Sequence, residues 1–206
     1  MDEKFFRHKH LFTFLNFWDA NKDGILSWED YKQHAESYTK LQRRGKLEKE
    51  VLDRWIAIFD KWWNALTSFA DYNKDKYVEF EEWVQFFEKM GETTKNFQEL
   101  PDFLKTFLHL HFLALDMHTK DGLFCLKDYK KYLSTHKIDA TKAEECFKFM
   151  LNDEDKSNGN AMTSDRFKEL MYDFWVSKDP TTQGKYICGP FDSLGIEDLE
   201  KQIQHK

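Results

Sequence analysis

The chain has few residues that interrupt helices, since its 206 positions include only 8 glycines and 3 prolines. This scarcity argues against a fold built from many tight turns and indicates a mostly helical chain. The three cysteines, Cys125, Cys146 and Cys188, are odd in number and widely spaced, which favours a reducing compartment over a disulfide framework. No apolar run approaches 18 residues, and the start Met1–Lys4 is charged rather than signal-like. We therefore expect a cytoplasmic protein without a membrane span.

The overall charge also excludes classes of function. A formal net charge of −6 at pH 7 argues against general binding of nucleic acid. Aromatic residues make up 17% of the chain, with 20 Phe and 7 Trp, so a large apolar interior can form. No zinc-type spacing and no nucleophile–base pair is evident among the histidines, cysteines and carboxylates. We expect a monomer that is not an enzyme.

One twelve-residue segment, residues 19–30 (loop 1), has the layout of an EF-hand calcium loop. Gly24 at position 6 suits a tight turn, and the residue at position 7 offers its backbone carbonyl. A hard divalent cation prefers six to eight oxygen ligands, and an alternating Asp/Asn pattern supplies them from one side of a turn. The predicted ligands, at positions 1, 3, 5, 7, 9 and 12, are Asp19, Asn21, Asp23, Ile25, Ser27 and Asp30.

The residues around loop 1 fit this interpretation. Apolar residues at Leu11, Phe14, Leu15 and Trp18 mark one face of an incoming helix, and Tyr31 begins the outgoing one. The alternative is an Asp/Asn/Gly-rich turn that binds no ion. The position-12 aspartate is one methylene shorter than glutamate, so it favours one-oxygen binding and six-coordination. We therefore expect Mg²⁺ to compete with Ca²⁺ at loop 1.

A second segment, residues 71–82 (loop 2), repeats the pattern with glutamate at position 12. Because this glutamate can chelate with both oxygens, we expect a more calcium-selective site. The departure is Lys76 at position 6, where a positive φ costs roughly 1 kcal/mol for a residue other than glycine. The predicted ligands are Asp71, Asn73, Asp75, Tyr77 through its carbonyl, Glu79 and Glu82.

The third loop region, residues 116–128 (loop 3), allows two registers. If Gly122 stands at position 6, Met117 falls at position 1, and a thioether is a poor calcium ligand. The helix pattern before the loop prefers Asp116 at position 1, which makes the loop one residue too long. Cys125 at position 9 is not an oxygen donor. We expect two calcium sites in the chain, at loops 1 and 2. Loop 3 is the candidate for a third.

The fourth loop, residues 155–166 (loop 4), runs from Asp155 to Arg166, with Met162 at position 8. A guanidinium at position 12 cannot coordinate a cation, so we expect loop 4 to bind nothing and to pair with loop 3 through a β-bridge. The loops are unevenly spaced, which is typical of an old repeat.

Two segments outside the loops carry further hypotheses. The connector 42–46, together with Lys40 and Lys49, forms a basic cluster. It is either a contact for an acidic partner or membrane surface, or a solvated helix junction. The C-terminal tail contains Tyr186, Ile187 and Phe191, and we expect these residues to dock it onto the core.

These features together resemble the invertebrate sarcoplasmic calcium-binding proteins and calexcitin-like EF-hand proteins. The resemblance is carried by the long spacing between the first two loops, the degenerate fourth loop, residues 174–179, the Gly-Pro-Phe of the tail, and the residues Asp30 and Lys76. It implies an all-α fold of two paired EF-hand halves. The expected units are an N-terminal pair (1–90), a C-terminal pair (101–178) and a docked tail (179–206).

The resemblance implies cytosolic calcium buffering or calexcitin-like signalling. A sensor would need a protein target and an apolar groove that opens, often rich in Met. The chain has only 6 Met, which favours a buffer or a specialised transducer. The alternative is a carrier of a small apolar ligand, similar to the luciferin-binding proteins. Its candidate polar contacts are His109, His111, Trp62 and Trp63, and the competing interpretation is a filled core.

Overall fold

The computed structural model describes residues 2–70, 75–116 and 120–204. Within these ranges the chain is mostly helical, so the all-α prediction is confirmed. None of the described helices is long and apolar enough to cross a membrane. The helices are α1 (Glu3–Thr13), α2 (Trp28–Gln42), α3 (Lys49–Ala70), α4 (Phe80–Thr93), α5 (Asp102–Leu115), α6 (Leu126–Thr135), α7 (Ala143–Met150), α8 (Asp153–Ser157), α9 (Ser164–Val176) and α10 (Ile196–Gln204). Two short strands are β1 (Leu123–Cys125) and β2 (Ala161–Thr163).

The chain enters loop 1 through a π-helical turn, Phe14–Trp18, that continues α1. At its end the Asp19 amide donates to the Phe14 carbonyl at 2.8 Å. The wider turn leaves the Leu15 carbonyl available, and the Lys22 ammonium donates to it. Such a turn often occurs at a functional site, and here it sets the direction in which Asp19 starts the loop.

Backbone pairing joins the loops in two pairs. Leu26 of loop 1 and Val78 of loop 2 form an isolated antiparallel bridge, with reciprocal bonds of 2.9 and 2.8 Å. In the second half β1 pairs antiparallel with β2, and Phe124 lies opposite Met162. The predicted β-bridge between loops 3 and 4 is therefore confirmed. Each bridge fixes two loops side by side at one end of a four-helix unit.

The tail docks as predicted. Ile187 and Phe191 are buried, and the Tyr129 hydroxyl donates to the Tyr186 carbonyl at 2.5 Å. Gly184 lies so close to α9 that a Cβ there would overlap the Leu170 carbonyl oxygen. A larger residue at position 184 would therefore push the tail away from α9.

A buried lysine ties α1 to the end of α9. Lys9 is fully buried, and its ammonium donates to the Ser177 carbonyl at 2.6 Å. The rings of Phe5, Phe6 and Phe174 lie 5.0 to 5.2 Å from it. Burial lowers the pKa of Lys9 to about 7. The aromatic shell and the carbonyl offset part of the desolvation cost.

Some local predictions from the sequence are wrong. The sequence pattern of residues 140–151 predicts a helix from Ala140 to Leu151 with Thr141 as N-cap. The helix begins only at Ala143, because Thr141 donates through its hydroxyl and amide to Asp139. His109, a candidate ligand contact, is exposed on α5 rather than in the core. The stretch around it is apolar on more than one face, so periodicity alone did not orient it.

A small cavity lies at the centre of the molecule. It has a volume of about 30 Å³, and four histidines line it among aromatic rings: His10, His34, His111 and His136. Burial lowers the pKa of His111 to about 3. Both of its ring nitrogens lack a hydrogen-bond partner in the described part of the chain. His10 and His34 each donate to one backbone carbonyl, of Trp175 and Trp18 respectively, at 3.0 Å.

The buried imidazole of His111 predicts sensitivity to acid. Its pKa is lower in the folded state than the ordinary 6.5, so the unfolded state binds its proton first as pH falls. The contribution is fully present above pH 6.5 and is lost as pH falls from 6.5 toward 3. We expect His111→Phe to reduce the slope of unfolding free energy against pH by about 1.4 kcal/mol per pH unit in this window. Urea unfolding followed by tryptophan fluorescence measures it.

The matched control is His109→Phe, which lies two residues before His111 on the same helix but is exposed. It should leave the slope unchanged. Equal slopes for wild type and His111→Phe would show that protonation of His111 does not contribute to the pH dependence of stability.

Candidate metal centres

Asp19 opens loop 1 with a side chain that the loop itself surrounds. Its Oδ1 accepts the Asp23 amide at 3.1 Å, and its Oδ2 accepts the Gly24 amide at 3.0 Å. Gly24 has a φ of +85°, the left-handed region that glycine enters without steric cost. Burial raises the pKa of Asp19, and the Gly24 amide and the Lys22 ammonium offset part of that shift. The carboxylate at position 1 is thus fixed at the centre of the turn.

Asp30 closes loop 1 from the other side and is fully buried. Its Oδ2 accepts the Ser27 amide at 2.8 Å and the Ser27 hydroxyl at 2.9 Å. Its Oδ1 accepts the Ala20 and Asn21 amides at 3.0 and 3.3 Å. One carboxylate therefore bridges the start of the loop and the first turn of α2.

The side chains of the other predicted metal ligands in loop 1 are more exposed. Asn21 accepts the Asp23 amide at 2.9 Å and donates to the Asp23 carboxylate at 2.7 Å. The Asp23 carboxylate also accepts the Ile25 amide at 3.1 Å. Among residues 2–70, 75–116 and 120–204, no three His, Cys, Asp or Glu side chains converge closely enough to hold a metal ion. The side-chain oxygens of loop 1 surround the turn and accept hydrogen bonds from the loop's own backbone amides.

Loop 2 repeats these bonds where it is described. The Tyr77 amide donates to Asp75 at 2.9 Å, and the Glu79 amide donates to Glu82 at 2.9 Å. Lys76 has the expected positive φ, +66°, at position 6. The other two predicted ligands, Asp71 and Asn73, lie outside the described residues.

The hydrogen bonds of loop 3 distinguish between its two registers. The amides of Asp121 and Gly122 donate to the two oxygens of Asp116, at 3.3 and 3.0 Å. In loop 1 the residue before the glycine and the glycine itself donate to Asp19 in the same way. Asp116 therefore takes the position-1 role in a loop with one extra residue. The alternative first residue, Met117, lies outside the described residues.

Loop 3 also has an acidic residue in the position-12 role. The amide and the thiol of Cys125 donate to Oδ2 of Asp128 at 3.0 and 2.9 Å, as Ser27 does to Asp30. Asp128 is buried, and its Oδ1 has no hydrogen-bond partner in the described part of the chain. Asp116 and Asp128 thus occupy the first and last positions of a thirteen-residue loop (116 to 128).

Loop 4 has a different internal arrangement. Its start lies in the short helix α8, because Asn152 caps that helix by accepting the Asp155 amide at 2.8 Å. The buried Asp155 carboxylate lies 3.4 Å from the Arg166 guanidinium. Arg166 also donates to the Met150 carbonyl at 3.3 Å and to Gln183 of the tail at 2.5 Å. A guanidinium therefore fills loop 4.

A single pattern unites the four loops. Every buried acidic residue in the described part of the chain stands at the first or last position of one of these loops. An unpaired charge is costly to bury, so each of these sites is suited to a positive charge. These residues are Asp19, Asp30, Glu82, Asp116, Asp128 and Asp155.

The sequence does not by itself assign the roles of two loop residues, Asp128 and Arg166. Asp128 was not assigned as a ligand, although the spacing from Cys125 to Asp128 equals that from Ser27 to Asp30. Arg166 was predicted only to exclude a cation, and its bond to Gln183 depends on tertiary structure. The spacing signal could have found the first of these, and it also places Arg166 opposite Asp155 in loop 4. No local signal predicts the bond from Arg166 to Gln183.

Known relatives resemble the chain over most of its length. It is 28% identical over 170 residues to the sarcoplasmic calcium-binding proteins I, III and IV of Branchiostoma lanceolatum, covering 82% of this chain and 88% of the relative. It is 20% identical over 179 residues to calexcitin-1 of Caenorhabditis elegans, covering 87% of this chain and 83% of the relative. No family model matches the chain.

Solved structures support the fold. A sarcoplasmic calcium-binding protein from amphioxus superposes with a TM-score of 0.75 at 23% identity, covering 92% of this chain and 99% of its own. The coelenterazine-binding protein of Renilla muelleri, in its calcium-loaded apo form, gives a TM-score of 0.56 at 17% identity, covering 91% and 97%. At sequence identities of 23% and 17%, these structures show that the chain shares their arrangement of helices.

The guanidinium in loop 4 predicts an effect on stability. Arg166→Met leaves the Asp155 carboxylate buried without its positive partner, and it removes the bond to Gln183. We expect a loss of about 3 kcal/mol in unfolding free energy, measured by urea denaturation in EGTA.

Glu81→Gln provides the control, because Glu81 forms a solvent-exposed pair with Arg7 at 2.6 Å. That change should lower the unfolding free energy by no more than about 1 kcal/mol. Losses of the same small size in both variants would mean that Arg166 does not hold loop 4 together.

Proposed function

Starting from the chain's membership of the family of sarcoplasmic calcium-binding proteins and calexcitin-like EF-hand proteins, we propose that it is a cytosolic calcium buffer with magnesium competing at loop 1. That the protein binds calcium follows from its relatives. The observation that carries the buffer proposal further is the placement of all described buried acidic side chains at the ends of the four loops. Loop 4 meets this charge with Arg166, and loops 1 to 3 are the candidates for an ion.

The bonds of Asp30 support mixed calcium and magnesium binding at loop 1. Each oxygen of Asp30 accepts two hydrogen bonds, Oδ2 from the amide and hydroxyl of Ser27 and Oδ1 from the amides of Ala20 and Asn21, and we propose that an ion binds at Oδ1. A cation would take the place of the Ala20 and Asn21 amides at that oxygen. Binding through one oxygen suits six-coordination, which Mg²⁺ requires and Ca²⁺ accepts. At resting magnesium, loop 1 would be occupied and would exchange slowly with calcium.

Loop 2 is proposed as the more calcium-selective site. Glu82 is one methylene longer than Asp30, so its carboxylate can present both oxygens. Its Oε2 accepts the Glu79 amide at 2.9 Å, which holds the carboxylate at the end of the loop. The proposed partners for the ion are the side chains of Asp71, Asn73 and Asp75 with the Tyr77 carbonyl.

Loop 3 is proposed as a third, weaker calcium site. Asp116 and Asp128 stand at its ends, and the free Oδ1 of Asp128 suits a cation. The extra residue lengthens the loop, and Cys125 at position 9 offers no oxygen. Both changes reduce affinity relative to loop 1.

Rigid packing favours a buffer over a sensor. Large aromatic side chains, among them Trp55, Trp62 and Trp83, fill the described core, and the tail covers the second half. A sensor would need a helix pair that opens and exposes an apolar groove. We propose a monomeric, non-enzymatic protein with working units 1–90, 101–178 and 179–206.

Calcium titration by calorimetry tests the proposal. Wild type should show two strong sites and a weaker third, and Asp19→Ala and Asp71→Ala should each remove one strong site. Millimolar magnesium should weaken calcium binding at loop 1 by about tenfold. In Asp30→Glu this weakening should shrink, because the longer side chain can offer both oxygens to calcium.

Asp198→Ala is the control, since this exposed acid lies on α10 outside the loops. It should retain every site. Absence of calcium binding by wild type would overturn the proposal, and a titration unaffected by magnesium would remove the mixed role of loop 1.

The central cavity supports a second candidate, a carrier of a small organic ligand. Unpartnered nitrogens of His10, His111 and Trp83 belong to residues that line it, and such groups could bind a polar ligand. Its volume of about 30 Å³ holds about two water molecules. Sites for organic ligands are typically about 300–1,000 Å³. The size of the cavity therefore favours the buffer.

We expect coelenterazine to leave the tryptophan fluorescence of the wild-type protein unchanged, because the cavity is too small to admit it. Met171→Ala removes part of the cavity wall, which enlarges the cavity, and this variant serves as the comparison. Saturable quenching in wild type would support the carrier instead. Quenching only in Met171→Ala would show that size excludes the ligand.

A further inference from the structure

A groove of about 410 Å³ lies where the C-terminal end of α2, the N-terminal half of α3 and the C-terminal half of α5 meet. It lies outside the ligand sets of loops 1 and 2. Its apolar members are Val51, Trp55, Leu110 and Leu113, and its charged members are Arg43, Arg54, Asp116 and Lys120.

The apolar part of the groove is rigid and accessible. Trp55 is buried, and its indole N–H donates to the Gln42 side chain at 3.0 Å, which fixes the ring. Leu113 is 41% exposed, although it belongs to the most apolar helix of the chain. An exposed leucine beside a preformed apolar floor is a feature of interaction surfaces.

The surroundings of the groove are basic in an otherwise acidic protein. Residues 40–54 contain six basic and three acidic side chains, whereas the whole chain has a net charge of −6. Arg43 pairs with Glu48 at 2.9 Å. Within residues 2–70, 75–116 and 120–204, Arg54 and Lys120 form no ion pair. Their charges are available to a partner.

We propose that this groove is the docking site for an acidic amphipathic segment of a partner protein. One apolar face of a short helix would contact Leu110 and Leu113, and carboxylates along its edges would face Arg54 and Lys120. Charge complementarity with an acidic segment would steer encounter and exclude the basic helices that an acidic protein surface otherwise attracts.

The groove also touches loop 3. Asp116 holds the position-1 role of that loop, and Lys120 lies four residues further along. An ion at loop 3 would alter the charge and position of one wall of the groove. This calcium dependence rests on the proposed function of loop 3, whereas the docking itself does not.

The test uses a fluorescein-labelled synthetic peptide with leucines at helical i, i+3, i+4 spacing and glutamates elsewhere. Fluorescence anisotropy should show saturable binding to the wild-type protein. Arg54→Glu and Leu113→Glu should each weaken it by about tenfold or more. A peptide with glutamines in place of glutamates should bind about tenfold more weakly.

The matched controls are Lys142→Glu and Leu194→Glu, an exposed lysine and a leucine that is 50% exposed, both outside the groove. They should bind like wild type. No binding by wild type, or equal losses in the control variants, would overturn the proposal. Binding to phosphatidylserine vesicles that Arg54→Glu abolishes, with no peptide binding, would make the surface a membrane contact and would also overturn it.

Repeating the titration in calcium and in EGTA tests the link to loop 3. The affinity for the peptide should differ by about threefold or more between the two conditions, and Asp128→Asn should remove the difference. Equal affinities would overturn the coupling and leave the docking to the first test. Failure of calcium binding itself would show separately, in calorimetry.

Discussion

Burial of carboxylates at the ends of four loops is the constraint around which this molecule is built. A carboxylate removed from water must accept hydrogen bonds or face a positive charge. In loop 1, Asp19 and Asp30 accept amides from the turn and from the first turn of α2. These bonds fix the angle between the incoming and outgoing helices. The loops therefore organise the helices as well as offering sites for ions.

The four loops meet the same constraint in different ways. Loops 1 and 3 combine backbone amides with a glycine in the left-handed region, at Gly24 and Gly122. Loop 2 places Lys76 in that conformation at some steric cost. Loop 4 replaces an ion with the guanidinium of Arg166, which also contacts the tail through Gln183. The guanidinium is therefore a permanent internal cation of loop 4.

Much of this arrangement could be predicted from the sequence. The apolar periodicity and the Asp/Asn/Gly spacing of loop 1 are local signals, and the anchoring of the tail by Ile187 and Phe191 followed from pattern alone. The register of loop 3 did not, because one extra residue makes two alignments equally regular. The π-helical turn at Phe14–Trp18 and the exposure of His109 depend on tertiary packing, which periodicity does not specify.

The contacts that distinguish functions are also the least visible in the sequence. The bond from Arg166 to Gln183 of the tail, and the groove between α2, α3 and α5, bring together residues that lie in different segments of the chain. The basic connector was visible as a charge run, but the apolar floor beside it required the fold. Spacing predicts ligands within a loop, whereas partners between loops come from packing.

A site-resolved nuclear magnetic resonance titration with calcium, following backbone amides in isotope-labelled protein, tests directly which loops bind an ion. The amides of Gly24 and Lys76 should shift on addition of calcium, because position 6 lies inside each loop next to the ligand carboxylates. The amide of Gly159 in loop 4 should stay unchanged, because Arg166 occupies that loop. An unchanged Gly24 amide at saturating calcium would contradict the binding of an ion in loop 1.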